Sequence, residues 1–249
     1  MPAELIVIDG PAGAGKSTVA RRIADLFGAA LLDTGAIYRS LAWLARGRGV
    51  AWEDEAGLAA IAAELRIEFQ PPAEPGTRQR VLILSPLEAP ERGPIDVTGL
   101  IRSPEISEGA SRVSQHAAVR GALLDIQRAI AATSVAAGRG CVAEGRDMGT
   151  VVFPDAAHKF FLTATRDARA SRRHKELTAS GELAASGEAP SRSEVETEMA
   201  RRDQRDSSRE TAPLQQAKDA ALIDSSELDI DAVVARIVAA VRGPGQTTA

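Results

Sequence analysis

Eight consecutive residues have the types and spacing needed to hold a phosphate chain: Gly10, Pro11, Ala12, Gly13, Ala14, Gly15, Lys16 and Ser17. They match G-x-x-x-x-G-K-[ST] and lie between an apolar run and a helical pattern, the context in which such a loop works. Glycines let the backbone wrap phosphates so that successive N–H groups point inward, and the helix that follows adds the positive end of its dipole. Lys16 is expected to reach the β- and γ-phosphates and Ser17 to ligate Mg²⁺, with Thr18 completing the ATP-binding run. Such a cradle serves kinases, guanine-nucleotide switches and motor ATPases. A guanine switch needs an N/T-K-x-D stretch, and lysines occur only at 16, 159, 175 and 218 without one. A kinase or an ATP-driven conformational module remains.

The second chemical signal is arginine, since only four of the 30 basic residues are lysine. Guanidinium is the group for forked recognition of phosphate. Arg39 follows Asp33, Arg146 follows Glu144, and Arg166, Arg169, Arg172, Arg173, Arg202, Arg205 and Arg209 crowd one region. A kinase acting on an alcohol usually wants a base beside the hydroxyl. An acceptor phosphate has its second pKa near about 6, so its oxygen is already largely ionised at neutral pH. Its problem is repulsion, roughly 4 kcal/mol for two unit charges about 4 Å apart at an effective dielectric of about 20. Arginine clamps answer that problem. The acids Glu194, Glu196, Glu198, Asp203 and Glu210 could instead pair with these arginines on a solvated helix pair. His116, His158 and His174 show no catalytic or metal-binding spacing.

The elements that must position these groups alternate. Residues 4–9 form an apolar strand, and Val19, Ile23 and Phe27 recur at helical spacing up to Gly28. Residues 30–32 form a second strand, and Ile37, Leu41 and Leu44 share a helical face. A helix is expected over 53–64, then a small antiparallel sheet over 66–97 punctuated by prolines and glycines, then helices over 103–116 and 118–137. Strands at 140–144, 158–162 and 221–224 and a last helix with Ile230, Val233, Val234, Ile237, Val238 and Val241 on one stripe complete the pattern, with Asp229 as its cap. Gly145–Gly149 reads as a loop and 179–191 as a Gly/Ser/Ala-rich link in a helical hairpin. Strands alternating with helices imply a parallel sheet whose ligands sit beyond the carboxyl ends of the strands.

The composition narrows the function classes. A net charge of −4 and eight aromatic residues argue against a nucleic-acid-binding protein. The single cysteine, Cys141, excludes an internal disulfide and a multi-cysteine metal site, no apolar run is long enough to span a membrane, and no signal peptide is visible, so a cytoplasmic protein is expected.

Three segments resemble the bacterial cytidylate kinase family: Asp33-Thr-Gly-Ala-Ile-Tyr-Arg39, Gly145-Arg-Asp-Met-Gly-Thr-Val-Val-Phe-Pro-Asp155, and Arg202-Asp-Gln-Arg-Asp-Ser-Ser-Arg209 followed by Ala212-Pro-Leu214. The likeness runs from about residue 4 to 241. It implies a kinase moving a phosphoryl group from ATP to CMP or dCMP with Mg²⁺; a monomer is expected. Arg39, Arg146 and Arg209 would then hold phosphates, Ser111, Arg120 and Asp147 would line the cytosine pocket, Arg202 and Asp206 would reach the sugar, and Thr34 would lie near the base. Lys16, Arg146 and Arg209 would be catalytic. Cytosine presents an amino donor where uracil has a carbonyl, so an acceptor-only carboxylate at Asp147 favours cytosine. Asp147 as a loop cap, Ser111 as an ordinary helix serine and Arg120 as a surface residue are the alternatives. The family commonly has Asp where this chain has Glu144. Either would orient a magnesium-bound water, and Glu144 is not counted among the site residues. The turn around Pro86–Pro94 is longer than the family suggests.

The resulting expectation is a three-layer α/β P-loop kinase fold with a parallel sheet, a small antiparallel β insertion and a helical lid. The core would comprise residues 1–65, 98–165 and 211–242, the monophosphate-binding insertion 66–97 with flanking helices to about 120, the lid 166–210, and a flexible tail 243–249. A kinase for another monophosphate or small metabolite, and an ATP-dependent switch, are the rival readings.

Overall fold

The apolar run forms β1, Leu5–Asp9, and the glycine-rich segment after it opens α1, Lys16–Phe27. The computed structural model describes residues 4–72, 77–84, 93–180 and 190–243. The turn around Pro86–Pro94, most of the 179–191 link and the 243–249 tail therefore fall largely outside the described residues. The chain divides into two compact units, Met1–Leu32 with Arg128–Ala249, and Asp33–Gln127.

The first unit is built on a five-stranded sheet. Its strands are β1, β2 (Ala30–Asp33), β6 (Cys141–Gly145), β7 (His158–Thr163) and β8 (Ala221–Asp224), in the order β2-β6-β1-β7-β8. β1 pairs in parallel with β6 and β7, and β7 with β8. The central strands β1 and β6 read as continuous apolar runs because they are buried on both faces, whereas Leu222 of the edge strand β8 is exposed. Ile6, Ile8, Val142, Phe160, Leu162 and Ile223 share one core with Val19 and Ile23 of α1 and with Val233, Val234 and Ile237 of α8 (Ile230–Arg242). Asp229 caps α8 by accepting the Ala232 N–H, as expected. Ile230 departs from the predicted stripe: it opens the helix, before the buried face begins, and is 43% exposed.

Two departures concern the functional loops. The sequence of Gly145–Gly149 predicts a loop, but Met148–Val152 winds into a π-helical turn. Such one-turn features often accompany functional sites. The other is the hairpin formed by α6, Arg166–Ser180, and α7, Arg192–Ser208. Its arginine-rich sequence suggests a solvated helix pair, yet Ala170, Leu177, Val195 and Met199 form a small core against Ala12. A capping box starts α7, with Ser191 Oγ accepting from Glu194 N and Glu194 Oε2 from Ser191 N.

The second unit contains α2 (Thr34–Gly47), α3 (Glu55–Glu64), α4 (Pro104–Val113) and the first half of α5 (Ala117–Ala136). α3 starts two residues later than expected because Asp54 caps it, accepting the Gly57 N–H. The expected antiparallel sheet is present: β3 (Ile67–Gln70), β4 (Arg80–Ile83) and β5 (Ile95–Asp96), with Phe69 opposite Val81 and Ile83 opposite Ile95. The predicted helix over 103–116 is shorter, running from the Ser103 cap to Val113, and a 3₁₀ turn, Leu100–Arg102, precedes it. Trp52 seats α4: its indole N–H donates to Ala42 O, and a Cβ on Gly109 would lie 2.5 Å from its ring.

Candidate active site

In the first unit the cradle takes the conformation that its glycines permit. Gly15 adopts φ 89°, a left-handed geometry costly for other residues, and a Cβ on Gly10 would sit 2.0 Å from Leu162 O. Lys16 is buried and donates to Pro11 O at 2.7 Å. Burial, then the positive charge of Arg146, lowers its ammonium to about 7. A lysine so placed has lost water without gaining a full counter-ion, and a polyphosphate would supply one.

Ser17 Oγ donates to Glu144 Oε1 at 2.5 Å. Glu144 is buried at the end of β6, beside Ile8 of β1. A hydroxyl and a carboxylate at the mouth of a phosphate cradle are a donor set suited to a hard divalent cation that keeps waters and shares phosphate oxygens. The residues present therefore fit Mg²⁺. Among the described residues no cluster of three His, Cys, Asp or Glu would hold a metal unaided. Glu144, which sequence reasoning left aside, belongs to this pair.

Three arginines of the same unit converge on one acid. Arg146 Nε donates to Asp206 Oδ2 at 2.9 Å, Arg209 Nε donates to Asp206 O at 3.3 Å, and the Arg209 guanidinium lies 3.6 Å from Asp206 Oδ1. Burial raises the Asp206 carboxyl, but the charges of Arg146, Arg202 and Arg209 more than reverse this and hold it below its usual range. Arg202 is lowered, first by burial and then by repulsion from Arg146. Arg146, Arg202 and Asp206 also act on Lys16. Lys16, Arg146, Arg202, Asp206 and Arg209 are thus brought together from separate segments. Asp147 is buried beside them in sequence, and its carbonyl accepts the N–H groups of Val151 and Val152.

Two hairpin arginines have other work. Arg169 donates to Ala164 O, to Ala12 O in the cradle and to Asp203. Arg172 donates to Ser225 Oγ and to the carbonyls of Ser225 and Leu228. Both hold loops around the cradle in place.

The second unit carries Thr34, Arg39, Ser111 and Arg120. Asp33 caps α2 by accepting the Ala36 N–H and also accepts from Arg39 and, at 3.0 Å, from Arg102. Burial pushes the Asp33 carboxyl up, but Arg39 and Arg102 bring it down to about 2. Arg102 belongs to none of the recognised motifs and was missed. Arg120 is 7% exposed, which removes the reading of a surface residue. Its guanidinium lies 5.6 Å over the Tyr38 ring, and Nη1 donates to Ser114 O. Ser111 is buried on α4, and Thr34 is buried in the first turn of α2. Asp9, whose only signal was an acid ending an apolar strand, was also missed. Its carboxylate accepts the N–H groups of Met148 and Gly149.

Comparison with known proteins matches residues 6–243 to the family model described as cytidylate kinase. A cytidylate kinase of Pseudomonas syringae pv. tomato is 44% identical over 239 residues, covering 96% of this chain and 95% of that protein. One of Pseudomonas putida is 44% identical over 94% of each chain. A bifunctional pantoate ligase/cytidylate kinase of Synechococcus is 43% identical over 96% of this chain, which spans 45% of that longer protein.

Proposed function

The chain belongs to the cytidylate kinase family, kinases that phosphorylate CMP from ATP with Mg²⁺, and from that premise we propose how its own residues carry out the transfer to CMP and dCMP. The observation that carries the reading is the cluster of Lys16, Arg146, Arg202 and Arg209 about Asp206, next to the Ser17–Glu144 pair. Four cations suit an acceptor that is already ionised and needs its charge screened.

In the first unit, Gly10–Thr18 would wrap the ATP phosphates, with Lys16 on the β- and γ-groups. Bound at Ser17 and Glu144, Mg²⁺ would neutralise charge on the donor phosphates. Arg146 and Arg209 would trade part of their contact with Asp206 for phosphate oxygens, which frees the Asp206 carboxylate, with Arg202, for the sugar hydroxyls. Asp147 would accept the cytosine amino group. In the second unit, Arg39 would hold the acceptor phosphate, braced by Asp33 and Arg102, while Ser111, Arg120 and Thr34 would serve the base. Residues 66–97 would act as the monophosphate-binding insertion and 166–210 as a lid that excludes water, which would otherwise consume ATP. The enzyme would act as a monomer in the cytoplasm; among the described residues no helix is long and apolar enough to cross a membrane.

The test is ADP release measured against CMP, dCMP, UMP, AMP and shikimate. CMP and dCMP should be preferred. ATP hydrolysis indifferent to CMP, or faster turnover of AMP or shikimate, would reject the proposal.

A further inference from the structure

Asp9 ends β1, immediately before the cradle, and is 4% exposed. The transfer scheme gives it no task. Its two carboxylate oxygens are nonetheless both engaged: Oδ1 accepts the Met148 N–H at 2.9 Å and Oδ2 the Gly149 N–H at 2.7 Å. These are the two residues directly after Arg146 and Asp147. The turn that they open closes back on Asp147, whose carbonyl accepts from Val151 and Val152. Lys159 and Ala217 also crowd the turn. A Cβ on Gly149 would lie 3.3 Å from Lys159 Cδ, 3.4 Å from Ala217 Cβ and 3.4 Å from Asp9 Oδ2. Lys159 is itself held by Pro154 O and by Asp219. The backbone that presents Asp147 is therefore packed against both a buried carboxylate and a fastened lysine.

We propose that Asp9 is a positioning residue for base selection, fixing the 148–152 turn so that Asp147 meets the exocyclic amino group of cytosine. This rests on the assignment of Asp147 made above. The requirement is chemical as well as steric. Here the two consecutive N–H groups are each met by a separate oxygen of one side chain, and only a carboxylate offers two acceptor oxygens. Asparagine has nearly the same shape but sets an amide donor against one of those N–H groups.

The test compares D9N with the unaltered protein, using kcat/KM for CMP and for UMP measured on one preparation. Because both constants come from the same sample, any loss of folded enzyme cancels in their ratio. The CMP-over-UMP preference should fall by about tenfold, the scale of one misdirected hydrogen bond, while the KM for ATP stays within about twofold. A purely structural role lowers both constants by the same factor and leaves the ratio unchanged, which overturns the proposal. A rise in the KM for ATP equal to that for CMP also overturns it, since Asp9 would then act through the cradle. If D9N does not fold, D9E retains both acceptors but displaces the turn by one methylene. A narrowed ratio in D9E supports the proposal and an unchanged one rejects it. D147A separates the two layers: a narrowed ratio there with an unchanged ratio in D9N removes the role of Asp9 alone, whereas no change in either removes the Asp147 assignment and the role of Asp9 with it.

Discussion

Binding of ATP should draw a proton onto the enzyme at alkaline pH. Lys16 sits at about 7 because burial, and then the charge of Arg146, disfavour its ammonium. With that value, about a tenth of the molecules carry the charge at pH 8 and about nine-tenths at pH 6. A polyphosphate against Nζ restores the ordinary preference of a lysine for its proton. Uptake should therefore approach about 0.9 proton per ATP at pH 8 and fall to about 0.1 at pH 6. The assay is titration calorimetry of magnesium–ATP without acceptor, in buffers of different ionisation enthalpy, where the slope of observed heat against that enthalpy counts protons. Lys16→Gln provides the control, because protons belonging to the nucleotide survive the substitution and those of Lys16 do not. Equal slopes for the two proteins at pH 8 would refute the reasoning.

Acid stability should report Asp33. Its folded value, about 2, is depressed from 3.8, so its contribution is present above about pH 4 and is lost as the pH falls towards 2. The shift corresponds to something on the order of 2 kcal/mol. Asp33→Asn should lower the urea midpoint at pH 7 and flatten the decline between pH 4 and 2, and an unaltered acid slope would count against the assignment. Arg102→Gln should raise the KM for CMP by about fivefold through loss of the brace on Arg39, leaving the KM for ATP unchanged; equal changes in both would reject it. Glu144→Gln should raise the magnesium concentration for half-maximal activity by about tenfold, and an unchanged magnesium titration would remove Glu144 from the metal pair. Lys16→Ala should leave a folded chain with almost no transfer, as judged by circular dichroism beside the rate; near-normal turnover would end its catalytic role.

Legibility followed range along the chain. The cradle, the alternation of strands and helices and the Asp229 cap depend on neighbours within a few residues, and the structure has all three. The Asp33 and Asp54 caps also act only three residues ahead, yet neither is among the caps predicted from the sequence. The π-turn at Met148–Val152 was not legible, because the acid that accepts its first two N–H groups lies 139 and 140 residues away. Nor was the sharing of Asp33 between Arg39 and Arg102, the latter 69 residues distant. The hairpin looked like solvated charge because its four buried apolar groups are spread over two helices and meet only when those helices pack.

Sequence alone determined that this protein wraps a phosphate chain and carries guanidinium groups in excess, since the glycine spacing of a cradle and the identity of a side chain are local properties. Tertiary structure decided which arginines are held against Asp206, which brace loops, and which acids serve the backbone. Those assignments depend on burial and charge–charge distance, and both arise only when strands remote in the chain lie side by side.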